Sequence, residues 1–379
     1  MIKFKVDDLL PYIGSAASVV NAKPVYPILT CVRIDARTDN SLILTTSDGE
    51  SWFTTKAPCE LVSEPFDICV DANDLVRALS NLKGKDVAMN VNSDKHQAEF
   101  DYGCGHFALP FQSGDDFMKM EAPTDGTSVI MDAKALVNAI NKTLFAAAND
   151  ELRPVMNGVH FDFRDNGMAC GATDGHKLVR YMDFNVTNDG LACDNVTLPK
   201  KPASIIKNVL DGVDSQVRVT YDNRLLSVSN SAFRLVTRLC EQKYPDYARV
   251  IPTNNNIEVV VDKNALVMAL KRVAPMCQAS SELIKMVIDK DNGVTLIADD
   301  FDMSRSARES ISCEYLGEPL TIGFKASMLL LLISNIDSEK VNMAFLDDKH
   351  AALFRPVGGD EMPPRDWYIS LLMPMVINM

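Results

Sequence analysis

Asp174 and His176, in the segment Ala172-Thr-Asp-Gly-His-Lys-Leu178, come closest to a catalytic pairing. A carboxylate two residues from an imidazole can act as a general acid–base couple if a convergent pocket tunes both groups. The surrounding sequence argues against this. No nucleophile or metal-ligand cluster lies nearby, and the positions matching His176 elsewhere are Glu50 and Phe301. Asp48, Asp174 and Asp299 invite a metal reading instead, each closing an alternating apolar run at intervals of 126 and 125 residues. One such aspartate per interval describes a repeated turn better than a metal site. There is no Walker loop and no His-Glu-x-x-His, and Gly103-Cys-Gly105 lacks a third glycine. Nine scattered cysteines without Cys-x-x-Cys spacing fit reduced core thiols, not disulfides or zinc. Neither a catalytic residue, a cofactor nor a metal is expected.

The same interval organises the elements. It is almost one third of the 379 residues, and two further markers keep its register. A helix-like segment opens each third, at Val6-Asp7-Asp8, Met131-Asp132 and Val261-Asp262, where the Asp can accept from free backbone N–H groups. A strand followed by a second helix recurs at Phe66–Val70, Val196–Leu198 and Leu320–Ile322, the middle helix opening with Pro199 and Pro202. Short alternating runs such as Val217–Thr220, Leu225–Ser229 and Phe233–Thr237 read as antiparallel meanders. Turn-rich linkers at 121–127 and 251–256 divide the chain. The expectation is α+β: three tandem copies, 1–123, 124–253 and 254–379, each with two helices packed on antiparallel sheet.

Net charge is −13, but its distribution is uneven. The six helical segments (7–21, 71–83, 132–147, 199–211, 262–277, 324–336) hold eleven Lys/Arg against seven acids, which leaves −17 for the rest. Most of those acids sit at helix starts, facing the positive dipole end. Taken singly, each lysine is best read as solvated. Together they matter if the six helices share one surface, which a triplicated domain would arrange by symmetry. No charged-then-apolar leader is present, and the longest apolar run, Met328–Ile333, is far too short for a bilayer. A cytoplasmic protein without a membrane partner is expected. The apolar C terminus, Tyr368 to Met379, suggests a last strand followed by an adaptable Met373-Pro374-Met375 edge.

Ala172–Leu178, Tyr244-Pro-Asp-Tyr-Ala-Arg-Val-Ile-Pro252, Pro27–Leu29, Asn157-Gly158 and Met373–Met375 together resemble the bacterial DNA polymerase III beta subunit family, the replicative sliding clamps. The resemblance runs through the whole chain in order. It implies a DNA-clamp domain in each third and a head-to-tail homodimeric ring whose helices line the hole. Duplex DNA is threaded without sequence specificity, and polymerase, clamp-loader subunits and other replication and repair proteins dock by a short peptide. Carried over by motif, DNA contact falls to Lys23, Arg77, Lys142, Arg153, Lys200 and Lys201. The peptide pocket falls to Met156, Thr173, Gly175, His176, Lys177, Leu178, Pro245, Arg249, Val250, Met328, Met373, Pro374 and Met375, with Leu283 where the spacing differs. On this reading Lys177 and Arg249 pair with polar peptide groups at the rim. The subunit boundary would use Phe107, Leu109 and Met276. The sequence departs from the family at Pro154-Val155, at Lys177 in place of a frequent arginine, in its tail Val376–Met379, and in a longer loop over 355–365. Rival readings are an unrelated triplicated scaffold and an enzyme built on Asp174 and His176.

Overall fold

In the computed structural model the described residues are all but 22–23, 120, 124–125, 151, 165–166, 187–194, 314, 359–366 and 378–379. One order of elements occurs three times. The first copy runs β1 (Ile2–Lys5), α1 (Val6–Ala17), β2 (Cys31–Arg37), β3 (Ser41–Ser47), β4 (Ser51–Pro58) and a short β5 (Leu61–Val62). It continues with β6 (Phe66–Asp71), α2 (Ala72–Ser80), β7 (Asp86–Asn92), β8 (Gln97–Asp101) and β9 (His106–Ser113). The second is β10 (Thr127–Asp132), α3 (Ala133–Thr143), β11 (Gly158–Arg164), β12 (Gly167–Thr173) and β13 (Lys177–Asp183). Then follow β14 (Asn195–Pro199), α4 (Lys200–Val209), β15 (Gln216–Tyr221), β16 (Leu225–Ser229) and β17 (Phe233–Arg238). The third is β18 (Ile257–Asp262), α5 (Lys263–Val273), β19 (Leu283–Asp289), β20 (Gly293–Asp300) and β21 (Arg305–Ile311). It closes with β22 (Leu320–Lys325), α6 (Ala326–Ser334), β23 (Lys340–Phe345), β24 (Ala352–Val357) and β25 (Tyr368–Leu372).

Local chemistry accounts for these elements. Helix α5 buries Leu266, Ala269, Leu270 and Val273, the i, i+3, i+4, i+7 stripe of an amphipathic helix. Strand β19 alternates half-buried and buried residues, the period of a sheet with one face on a core. Asp262 caps α5 by accepting from Ala265 N (2.7 Å), and Asp71 caps α2 from Asp74 N (3.0 Å). Asp7 does not cap. Helix α1 already begins at Val6, and the Asp7 carboxylate accepts from Gly84 N instead.

Each copy forms two antiparallel ladders, and the ladders run on between copies. Strand β4 of the first pairs with β17 of the second, with Trp52 opposite Val236. Strand β13 of the second pairs with β25 of the third, with Leu178 opposite Leu371. The corresponding strand of the third copy, β21, is a sheet edge. The described residues therefore pack as two compact units, Met1–Val137 with Leu198–Glu241, and Asn138–Thr197 with Gln242–Met379. Both units draw strands from two copies.

Two expectations need correction. Asp48 and Asp174 each follow a ladder's last pair, Ser47–Trp52 and Thr173–Leu178. In the third copy the last pair is Asp300–Arg305, so Asp299 lies inside the strand, with its carboxylate 3.6 Å from Lys285 Nζ. The position matching the two turn aspartates is Phe301. The loop expected from Arg355 also starts later. Arg355, Pro356 and Val357 belong to β24, paired with Asn342, Val341 and Lys340. The loop's remainder from 359 lies outside the described residues.

Candidate functional site

Within the second unit, the turn between β12 and β13 builds one wall of a cavity of about 220 Å³. Asp174 Oδ1 accepts from His176 N (2.9 Å) and Lys177 N (2.8 Å), closing the turn. The turn needs Gly175, whose φ of +91° is strained for any residue with a Cβ. The Thr173 hydroxyl donates to Lys177 O (2.7 Å) and accepts from Gly175 N (3.0 Å). Behind it, the Tyr244 hydroxyl accepts from Thr173 N (3.1 Å), fixing the segment after β17 to the strand.

Stacked rings support this wall. His160 lies 4.6 Å from the Tyr244 ring, nearly parallel, and meets Tyr247 edge-on at 5.9 Å. Its Nδ1 is 3.0 Å from Thr197 Oγ1. Burial lowers the His160 pKa to about 4, against a smaller pull upward from Asp162. Tyr247 fits because Gly171 has no side chain: a Cβ there would stand 3.1 Å from the ring.

The cavity is lined by Met156, Thr173, Gly175, His176, Lys177, Leu178, Pro245, Asp246, Tyr247, Val250, Leu371 and Met373. Nine of these were expected from sequence; Asp246, Tyr247 and Leu371 were not. Asp246 and Tyr247 lie inside the quoted Tyr244–Pro252 motif. Leu371 enters only through its ladder position opposite Leu178. Arg249 is 85% exposed beside the cavity and holds Asp246 at 2.8 Å. Leu283 and Met328 sit on β19 and α6 and do not line it. Nor do Pro374 and Met375. Met375 N donates to Gly323 O (2.8 Å), pinning the tail to β22, and a Cβ on Gly323 would come 2.8 Å from Met375 O.

Lys177 is not a rim cation. Its side chain is 8% exposed, and its ammonium bonds the Asp174 carboxylate, itself 15% exposed. Burial pushes the Asp174 carboxyl up, but hydrogen bonds from Lys177 Nζ and the turn N–H groups outweigh it. The net pKa lies below the ordinary carboxylate value. Two charges this far from water hold only as a satisfied pair. What remains for a ligand is an apolar slot of Leu178, Leu371, Met156, Met373 and Val250, with polar groups at its edge.

The expected DNA cations scatter. Lys23 lies outside the described residues. Arg77 is 76% exposed on α2, with Asp74 3.5 Å away. Lys142 is only 20% exposed, lying 3.3 Å from Asp337 and 5.9 Å from both the Trp367 and Tyr368 rings. Arg153 pairs with Asp150 (2.7 Å) and reaches over Gly175, beside the cavity and off the helices. Lys200 opens α4 and is half-buried. Lys201 Nζ lies 2.6 Å from Asp48 Oδ2, whose side chain is fully shielded. By contrast Lys83, Lys207 and Lys271 are exposed and carry no ion pair among the described residues. Phe107 and Leu109 stand half-buried on β9, and Met276 follows α5.

Models of the DNA polymerase III beta subunit match in sequence order: its N-terminal domain over residues 2–121, central domain over 130–246, and C-terminal domain over 248–366. A beta sliding clamp of Staphylococcus aureus is 24% identical over 374 residues, covering 96% of this chain and 97% of its own length. The crystal structure of the Pseudomonas aeruginosa DNA polymerase III subunit beta superposes with a TM-score of 0.92 at 24% identity, covering 99% of this chain and 100% of its own. A Bartonella birtlesii sliding clamp bound to griselimycin gives 0.89 at 25% identity, covering 99% of both.

Proposed function

Because this chain belongs to the DNA polymerase III beta subunit family, its three domain models matched in order between residues 2 and 366, we propose that it works as a DNA sliding clamp. Two subunits close head to tail around duplex DNA, and partners dock in the cavity beside Leu178 and Met373. The carrying observation is the joint between copies, made twice within the chain and left open at its two ends. Strand β4 takes β17 and β13 takes β25, while among the described residues β21 has no neighbour beyond β20. On the first copy, His106 to Pro110 of β9 pair among the described residues only with β8, and β6 takes over from Phe111. An open edge of each kind invites the same pairing with a second copy.

The work is holding, not chemistry. Cations that touch phosphates carry no base information, so a closed ring slides, and its acidic exterior keeps DNA from binding outside. On exposure and freedom from ion pairs among the described residues, Lys83, Lys207 and Lys271 suit that contact better than Lys142 or Lys201. The slot takes apolar anchors of a short peptide from a replicative polymerase subunit, a clamp loader or a repair protein. The Asp174 carboxylate is committed to the Lys177 ammonium and to the turn N–H groups of His176 and Lys177. Domain limits near 124 and 254 accompany this reading. The test is retention on DNA. Once loaded, the protein should stay on a closed circle in high salt and be lost when the circle is cut. Equal loss from both forms rules the clamp out.

A further inference from the structure

Both joints between copies are closed by the same backbone hydrogen bond. At the first, Arg238 N donates to Glu50 O (3.1 Å), and at the second Met373 N donates to His176 O (2.9 Å). Glu50 and His176 are third in four-residue turns that follow Ser47 and Thr173, and Met303 holds that place after Asp300. By count the acceptor of the open joint is Met303 O, in a turn that carries its left-handed residue at Ser304 (φ +52°) where the other two carry it at Gly49 and Gly175.

The donor follows from matching two hairpins. Strands β16 and β17 close at Ser229–Arg234, and β8 and β9 at Asp101–His106. Each closure has the same inner bond, Asn230 N to Phe233 O and Tyr102 N to Gly105 O, both 3.1 Å. Counting onward, Arg238 corresponds to Pro110. The next residues agree, since Leu239 N donates to Arg224 O (2.8 Å) and Phe111 N to His96 O (3.1 Å), both back into their own hairpins. Position 110 thus faces outward, and proline has no N–H to give.

We infer that Pro110 removes the closing hydrogen bond from the subunit boundary, leaving it the weakest of the ring's equivalent joints. The inference rests on the homodimer reading. A closed ring must part somewhere to admit DNA without free ends, and this joint gives way before those inside a subunit. The Met303 side chain, 64% exposed in the single chain, meets a proline ring there. The same register sets Arg305 opposite Ala108 of the partner subunit.

The experiment is subunit exchange between differently labelled dimers, for the wild type and Pro110→Ala. Restoring the donor should slow exchange roughly three- to tenfold, the worth of one net hydrogen bond. The new amide at 110 should resist hydrogen exchange in the dimer. An unchanged rate, or an amide that exchanges freely, overturns the proposal. Register is checked separately with Arg305→Cys plus Ala108→Cys, which should cross-link between subunits under mild oxidation. Preferential cross-linking of Arg305→Cys with Pro110→Cys would overturn the proposal even if Pro110→Ala failed to fold. A chain that sediments as one subunit at every concentration would instead sink the homodimer reading.

Discussion

His160 sits under the pocket wall as a buried neutral ring, and its titration gives that wall a measurable acid sensitivity. Its pKa is about 4 in the folded chain against an ordinary 6.5, so between those values the unfolded chain binds more protons. The stabilisation is therefore complete above about pH 6.5 and is lost as pH falls towards 4, by at most ~3 kcal/mol. Urea unfolding of the wild type and His160→Gln across that range should show their difference shrinking. A constant difference would contradict the assignment. At this scale the sequence was legible where neighbours in the motif are neighbours in space. Ala172 to Leu178 supplied most of the wall. It was silent wherever a charge is matched by a distant residue: the partners of Lys142 and Lys201, Asp337 and Asp48, come from other copies. No local pattern announces such pairs.

The tail after β25 shows what spacing tells about an element and what it omits. Pro374 was expected to end sheet pairing, and the ladder does end at Leu372. Yet three residues later the chain bridges to a different sheet, Met375 pairing with Gly323 of β22, which turns the two methionines to different tasks. Met373 faces the slot while Met375 is held on β22. Met373→Ala should weaken a labelled clamp-binding peptide about five- to tenfold, as loss of an apolar anchor does, and Met375→Ala should change it less than twofold. Fluorescence anisotropy distinguishes the two, and equal losses would mean that the tail acts as one unit. The helices and most strands were legible because their periods are local. The repeated turn misplaced in the third copy was not, since Asp299 and Asp300 are adjacent and only the ladder shows which ends it.

At the scale of the molecule, the triplication was visible as a period, and the uneven charge followed from it. Exposure decides which cations remain available. Replacing Lys83, Lys207 and Lys271 with alanine should weaken association with linear duplex at low salt. It should also reduce the log–log salt slope by roughly 2 to 3, with the thermal midpoint little changed. An unaltered slope would place DNA elsewhere. What the period concealed is that sheets ignore the copies' borders. Thr55 is paired with Phe233, and Lys177 with Leu372. During synthesis the first copy therefore emerges from the ribosome with an unsatisfied strand flank. At usual elongation rates its mate arrives roughly 10 to 35 seconds later. Over that interval β4 is a sticky nascent edge, and chaperones that shield such edges have their natural point of action there.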